Sequence, residues 1–238
     1  MSITLVPEEL HEGASAQVRR LMPTTHQGVI DPFVFFDHFH AASGAGFPNH
    51  PHRGFEAITF LLSGELRHTD NMGNDAVLRA GEVQAFTAGK GMAHAEIAGA
   101  AHAVEGLQLW INLAQALKGI APGYQFPVAP RKIVAAGYEA QLLVGADAPI
   151  KLHTPCWIAW LDLAPGESFT PETPSEWRGF AYVVHGELHS TDFARAIAGE
   201  GLSLAGGNSV SSPCGARALI ALGQPHGEPI SMRGPYVD

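Results

Sequence analysis

The sequence predicts an all-β protein built as two β-barrels in tandem. Three observations carry that expectation: short apolar runs punctuated by glycine and proline, a repeated strand–turn–strand unit, and little helical periodicity. The runs cover residues 57–62, 106–113, 157–163, 180–184 and 218–222, each five to eight residues long. Gly, Pro, Ser or Asn bound each run, the pattern of strands that close on themselves to remove exposed edges. The 27 Gly and 17 Pro are spread along the chain rather than gathered in one linker. Only residues 112–118 read as one or two helical turns, ahead of the Pro-rich stretch 121–131.

The repeat sets the domain organisation. Residues 64–70, Gly-Glu-Leu-Arg-His-Thr-Asp, recur at 186–192 as Gly-Glu-Leu-His-Ser-Thr-Asp, an offset of 122. The apolar run ending at Leu62 pairs with the one ending at Val184, and Ala80-Gly81-Glu82 finds a looser echo in Ala205-Gly206-Gly207. The boundary falls in the Pro/Gly-rich stretch 119–135, so the expected lobes are residues 1–125 and 126–238.

Composition narrows the partners. The 238 residues carry 14 Lys+Arg against 23 Asp+Glu, a formal charge of −9. That sign opposes phosphate neutralisation, so direct nucleic-acid binding is disfavoured, as is an anionic membrane surface. The first ten residues show no basic-then-apolar leader, and no apolar run reaches the roughly 20 residues that span a bilayer. Cys156 and Cys214 stand alone, which suits a reducing cytoplasm. Small molecules are the expected ligands.

Histidine supplies the chemistry. His50-Pro51-His52 leads into a strand, and residues i and i+2 of a strand share a face, so both imidazoles aim at one point. Further on, His94-Ala95-Glu96 repeats the i, i+2 spacing beside a Gly-marked turn. Neighbouring strands of a small barrel would converge these groups, and imidazole with carboxylate suits a divalent first-row metal. Glu56 also follows His52 closely and is a competing carboxylate. At an offset of 122 the same four positions fall on Glu172, Pro174, Ala216 and Ala218, which cannot hold a metal.

Other features read more plainly. His38-Phe39-His40 is a second His-x-His, but no downstream His-x-Glu remains for it, so structural or surface roles are expected. His68 and His153 are among the isolated histidines, expected to be satisfied or solvent-facing. Asp37 is a turn-capping carboxylate or an acceptor orienting a neighbouring ligand. Phe47 and Phe55 flank the first His pair as core residues or as walls for an aromatic ligand. Gly89-Lys90-Gly91 lacks the frame of a phosphate-binding loop, and no Gly-x-Ser-x-Gly hydrolase elbow exists.

His-x-His-x3-Glu followed by Gly, then Gly-x5-Thr-x-Gly and His, resembles the two cupin motifs. More closely, Asp31-Pro32-Phe33, Phe36-Asp37-His38-Phe39, residues 50–56, 87–96 and 105–113 resemble the pirins. The C-terminal Glu228-Pro229-Ile230 and Gly234-Pro235-Tyr236-Val237 fit as well. The resemblance implies a bicupin of two jelly-roll-like barrels with one mononuclear metal in the first. By motif match the ligands would be His50, His52, His94 and Glu96, with Glu96 preferred over Glu56. The ion would be Fe(II) foremost, with Mn, Ni, Cu or Zn as alternatives. It further implies activity like quercetin 2,3-dioxygenase on a small aromatic substrate and O2, with Glu96 as ligand and base. The competing implication is a non-enzymatic, iron-dependent redox sensor acting on a protein partner.

Overall fold

The computed structural model describes residues 1–238. A seven-stranded antiparallel sheet forms the larger wall of the first lobe. Its order is Gly123–Val128, Val83–Thr87, Phe55–Ser63, Val104–Asn112, Phe33–Ala41, Ala16–Met22 and Glu8–Glu12. The facing wall has four strands, Gly46–His52, Met92–Ala98, Glu65–Asp70 and Asp75–Arg79. The second lobe repeats the plan around Arg178–Ser190, paired with Gly201–Ala205 on one side and Ala216–Gly223 on the other. The fold is a tandem pair of cupin barrels. The helical expectation at 112–118 reduces to one 3-10 turn, Gln115–Leu117.

The largest apolar core lies between the lobes rather than within either. Ile58, Phe60, Leu107, Leu109 and Phe36 of the first lobe pack on Trp160, Phe180, Tyr182 and Leu219 of the second. Strand Phe55–Ser63 is therefore buried on both faces: Ile58 and Phe60 meet the other lobe, while Ala57 and Leu61 face smaller clusters inside their own. This double burial is why the strand reads as a continuous apolar run instead of an alternation.

The chain ends cross over. Thr4–Leu5 adds a strand to Gly201–Ala205 of the second lobe. At the other end, Val237 is buried in the first lobe with Phe55, Phe86 and Trp110, and Arg53 pairs with Asp238 at 2.8 Å. The anticipated boundary after residue 125 falls inside strand Gly123–Val128, which still pairs with Val83–Thr87.

The repeat is structural, with one correction. Gly64 and Gly186 both take φ +77°, and a Cβ on either would lie 2.4 or 2.0 Å from a carbonyl oxygen across the turn. The partner of Ala80-Gly81-Glu82 is Ala198-Gly199-Glu200, not 205–207. Ala80 N–H donates to Gly64 O and Gly81 N–H to Leu61 O; Ala198 N–H and Gly199 N–H donate to Gly186 O and Val183 O. The second copy's intervening loop is four residues shorter, which an ungapped offset cannot follow.

Candidate metal centre

Strand register delivers three imidazoles to one point. Met92–Ala98 runs antiparallel to Gly46–His52, with His94 opposite His50 and Met92 opposite His52. The ligand atoms of His50, His52 and His94 all lie within 4.8 Å of one another. His50 Nδ1–H donates to Pro48 O at 2.7 Å, which leaves Nε2 as the lone-pair atom. That Nε2 stands 3.2 Å from His94 Nε2. Two lone pairs so close repel unless a proton or cation lies between them. His52 Nδ1 is buried with no hydrogen-bond partner at all. A buried, orphaned nitrogen beside two converging ones is the donor set a borderline divalent ion satisfies.

Burial keeps the His94 and His52 rings neutral. It lowers the pKa of His94 to about 4, with the His50 and His68 charges adding to the effect and Glu96 opposing it. His52 falls to about 2, again through burial first and then the His94 and His50 charges. Neutral imidazole is the metal-binding form.

Glu96 stands apart from the three-imidazole group. The pairing shifts register between His94 and Glu96, and the carboxylate joins a second cluster with His68 and His94. Gln84 Nε2 donates to its Oε1 at 2.7 Å and Gln108 Nε2 to its Oε2 at 3.0 Å. Burial pushes its pKa up, but His68 hydrogen bonding and the His94, His68 and His50 charges outweigh that and hold it at about 2. The structure thus gathers three of the four expected residues in one group and sets Glu96 in an adjoining group that shares His94.

His68, expected to be isolated, is the residue the sequence reading missed. It is fully buried, with Nδ1 3.3 Å from His94 Nδ1 and Nε2 3.3 Å from Asp70 Oδ2. Its ring stacks on Tyr124 at 4.3 Å. Burial pulls its pKa down, yet Glu96 and then Asp70 raise it overall. The available signal was its place in the repeat, on the strand that pairs with Met92–Ala98, where it lies opposite Glu96.

The remaining candidates resolve. Glu56 is fully buried and its oxygens accept from Thr87 Oγ1, His153 Nδ1–H and the His153 backbone N–H, each at 2.8 Å, so it ties the lobes together. Asp37 forms a two-pronged pair with Arg20 at 2.8 and 2.9 Å rather than orienting a histidine. Phe55 is a buried support, stacked on Trp110 at 4.1 Å. Phe47 does line a cavity of about 350 Å3, together with His50, His52, Phe35, Trp110 and Arg20. Phe35 and Trp110 stack at 4.2 Å, and the buried Trp110 Nε1–H has no partner. The His50 and His52 imidazoles therefore open onto a small aromatic-walled chamber, with His94 buried behind them.

Comparison with known proteins shows the family. The Pirin family model matches residues 15–111, and the Pirin C-terminal cupin domain matches 158–238. A pirin-like protein of Solanum lycopersicum is 36% identical over 243 residues, covering 95% of this chain and 82% of the relative. Human pirin is 31% identical over 253 residues, covering 100% of this chain and 87% of its own. The crystal structure of quercetin 2,3-dioxygenase from Acinetobacter baumannii superposes with a TM-score of 0.87 at 25% identity. That match covers 100% of this chain and 92% of the other. No helix is long and apolar enough to cross a membrane.

Proposed function

Because the chain belongs to the pirin family of two-barrel cupins, we propose that it is a mononuclear metal-dependent oxygenase of the quercetin 2,3-dioxygenase type. The observation that carries this reading is the convergence of His50, His52 and His94, the first two of which line the aromatic chamber. Glu96, next on the same inward face, completes the ligand set in this proposal. The first lobe, anticipated as residues 1–125 but running on through strand Gly123–Val128, would hold the metal, with the second lobe metal-free. A divalent ion held there, Fe(II) foremost and Mn, Ni, Cu or Zn as alternatives, would supply Lewis acidity to a bound substrate oxygen, and a redox-active one among them would also exchange electrons with O2. The two free cysteines fit a cytoplasmic setting.

The chain's own residues bind and orient the substrate. Phe35, Phe47 and Trp110 form the apolar side of the chamber, although Phe35 and Phe55 both stack on Trp110 and the Arg20 guanidinium covers Phe35. The unpartnered Trp110 Nε1–H would donate to a substrate oxygen. Arg20 and Asp37 make the rim polar, which suits a polyoxygenated ring system such as a flavonol. Glu96 is a resident anion. With its pKa near 2 it takes a hydroxyl proton only from a substrate already strongly acidified.

His68 balances the charge. In the metal-free protein the carboxylates of Glu96 and Asp70 flank His68 and favour its protonated form. With His94 Nε2 engaged, His94 Nδ1–H donates to His68 Nδ1, and His68 passes its Nε2–H to Asp70. That chain fixes the His94 ring.

Turnover tests the reading. Chelator-stripped protein, reloaded with Fe(II) under argon and then given O2 and quercetin, should bleach the flavonol absorbance, and His94→Ala should not. Absence of bleaching with Fe, Mn, Ni, Cu and Zn alike would overturn the enzyme reading. It would leave a metal-holding partner protein.

A further inference from the structure

The second His-x-His has a use of its own. Phe36, His38 and His40 alternate along one face of Phe33–Ala41, the face turned toward the second lobe. The neighbouring Val104–Asn112 presents Leu109, Leu107 and Glu105 to that same side, and Glu105 stands directly opposite His40 in the register. At this end of the seam the apolar packing gives way to two imidazoles and a carboxylate. His38 Nε2 lies 2.9 Å from Glu105 Oε1, and His40 Nε2 lies 3.8 Å from the same oxygen. The ligand atoms of all three residues fall within 4.8 Å of one another.

We propose that His38, His40 and Glu105 form a second divalent-cation site, of the zinc type, on the seam between the lobes. Donors about 2.1 Å from a tetrahedral ion stand roughly 3.4 Å apart, and the two separations to Glu105 bracket that value. The residue that orients a ligand ring in such a site is present as well. His38 Nδ1 is 3.0 Å from the hydroxyl of Tyr182, which comes from the second lobe. A metal-bound His38 would donate its Nδ1–H to that oxygen, the arrangement that fixes a ligand ring. His40 is half exposed and Glu105 about one-third exposed, so the cation has an entry path and room for a water ligand. Arg19, opposite His38 in the register, has its charge met by Glu9 at 2.7 Å. The ion would bind two first-lobe strands while Tyr182 carries its presence to the second lobe.

This site is independent of the chamber at His94, and metal counting separates the two. Chelator-stripped full-length protein is dialysed against buffered Zn(II), and bound metal is measured per chain. Wild type should hold two ions, His94→Ala one, His40→Ala one, and the double variant none. In the His94→Ala background, Tyr182→Phe should weaken the remaining site on the order of 10-fold. Should His94→Ala fail to fold, Glu105→Gln in the wild-type background gives the same reading by falling from two ions to one. A single ion in wild type, lost in His94→Ala and kept in His40→Ala, overturns the proposal. A single ion kept in His94→Ala and lost in His40→Ala upholds it and instead overturns the chamber as a metal site.

Discussion

The two lobes share their strand ladders and differ in what those ladders enclose. In the first, Thr59 pairs with Gln84 on one side and Gln108 on the other. The corresponding triplet of the second is Leu202, Ala181 and Ile220, paired in the same way. Glu96 lies opposite His68, and its counterpart Val210 lies opposite Ser190. Ala181, Leu202, Val210 and Ile220 all belong to one apolar cluster. The second lobe fills with hydrocarbon the space that the first lines with amides, hydroxyl and carboxylate. One scaffold tolerates both interiors because the polar set is complete: Gln84 and Gln108 each donate to Glu96, so the buried charge has its partners. Fold and site are thus separable, and the whole constellation differs, not only the ligands.

The largest expected effect is on metal retention. His94→Ala removes the imidazole shared by the His50–His52 and His68–Glu96 clusters and should lower affinity at the chamber by more than about 100-fold, since even supporting residues contribute 10–100-fold. Metal content after dialysis checks it, and retained stoichiometry at that site would erase the functional distinction between the lobes.

Exchanging the interiors gives the next effects. Val210→Glu buries a carboxyl among Ala181, Leu202 and Ile220 with no amide to receive it, and should destabilise by roughly 3 kcal/mol. Glu96→Val does the reverse and strands two amide donors, at about 1–3 kcal/mol each. Denaturant unfolding of the metal-free variants checks both. A neutral Val210→Glu would mean that the second interior is open to water.

Acid should reach the first lobe before the second. His94 and His52 titrate in the folded protein near 4 and 2, below their ordinary value of 6.5. The unfolded chain therefore binds more protons, and stability present above pH 6.5 is lost as pH falls, by on the order of 3 kcal/mol for each group near pH 4. Glu96, near 2 against 4.5, adds a loss between those values. His68, with its raised pKa, works the other way: its contribution is present at low pH and fades on the alkaline side. The positions matching Thr59, Gln84, Gln108 and Glu96 carry no titratable group in the second lobe. Hydrogen exchange of metal-free protein at pH 7 and pH 5 should show protection lost first from Gly46–His52 and Met92–Ala98. Uniform loss across both lobes would contradict the contrast.

The sequence exposed what is local and hid what depends on register. Strand runs, the Gly64/Gly186 repeat and the two His pairs need only spacing, and they were legible. His68 was not, because its neighbours His94 and Glu96 lie on a strand more than twenty residues away and meet it only through pairing. The second-lobe equivalents of His94 and Glu96 were misplaced for a related reason. The register puts them at Asn208 and Val210 rather than Ala216 and Ala218, because shorter loops reduce the offset from 122 to 114 by that point. The expectation that those positions hold no ligands stands on either alignment, since Asn208 and Val210 offer no imidazole or carboxylate. Glu105, as partner to His38 and His40, was hidden in the same way: it sits across a strand pair, not along a motif.

The smallest effect tests the shared half of the comparison. Gly64 and Gly186 hold the same left-handed turn, and alanine at either would put its methyl against a carbonyl oxygen, of Ala103 or of Gly215. The strain is backbone strain, about 1–3 kcal/mol, and owes nothing to what the barrel contains. Gly64→Ala and Gly186→Ala should therefore lower the melting temperature by similar amounts in metal-free protein. Added metal should offset the loss for Gly64→Ala more than for Gly186→Ala, because the ligand only stabilises the lobe that binds it. Equal rescue of both would show that the lobes unfold as one unit, with the apolar seam, rather than the separate barrels, setting the cooperativity.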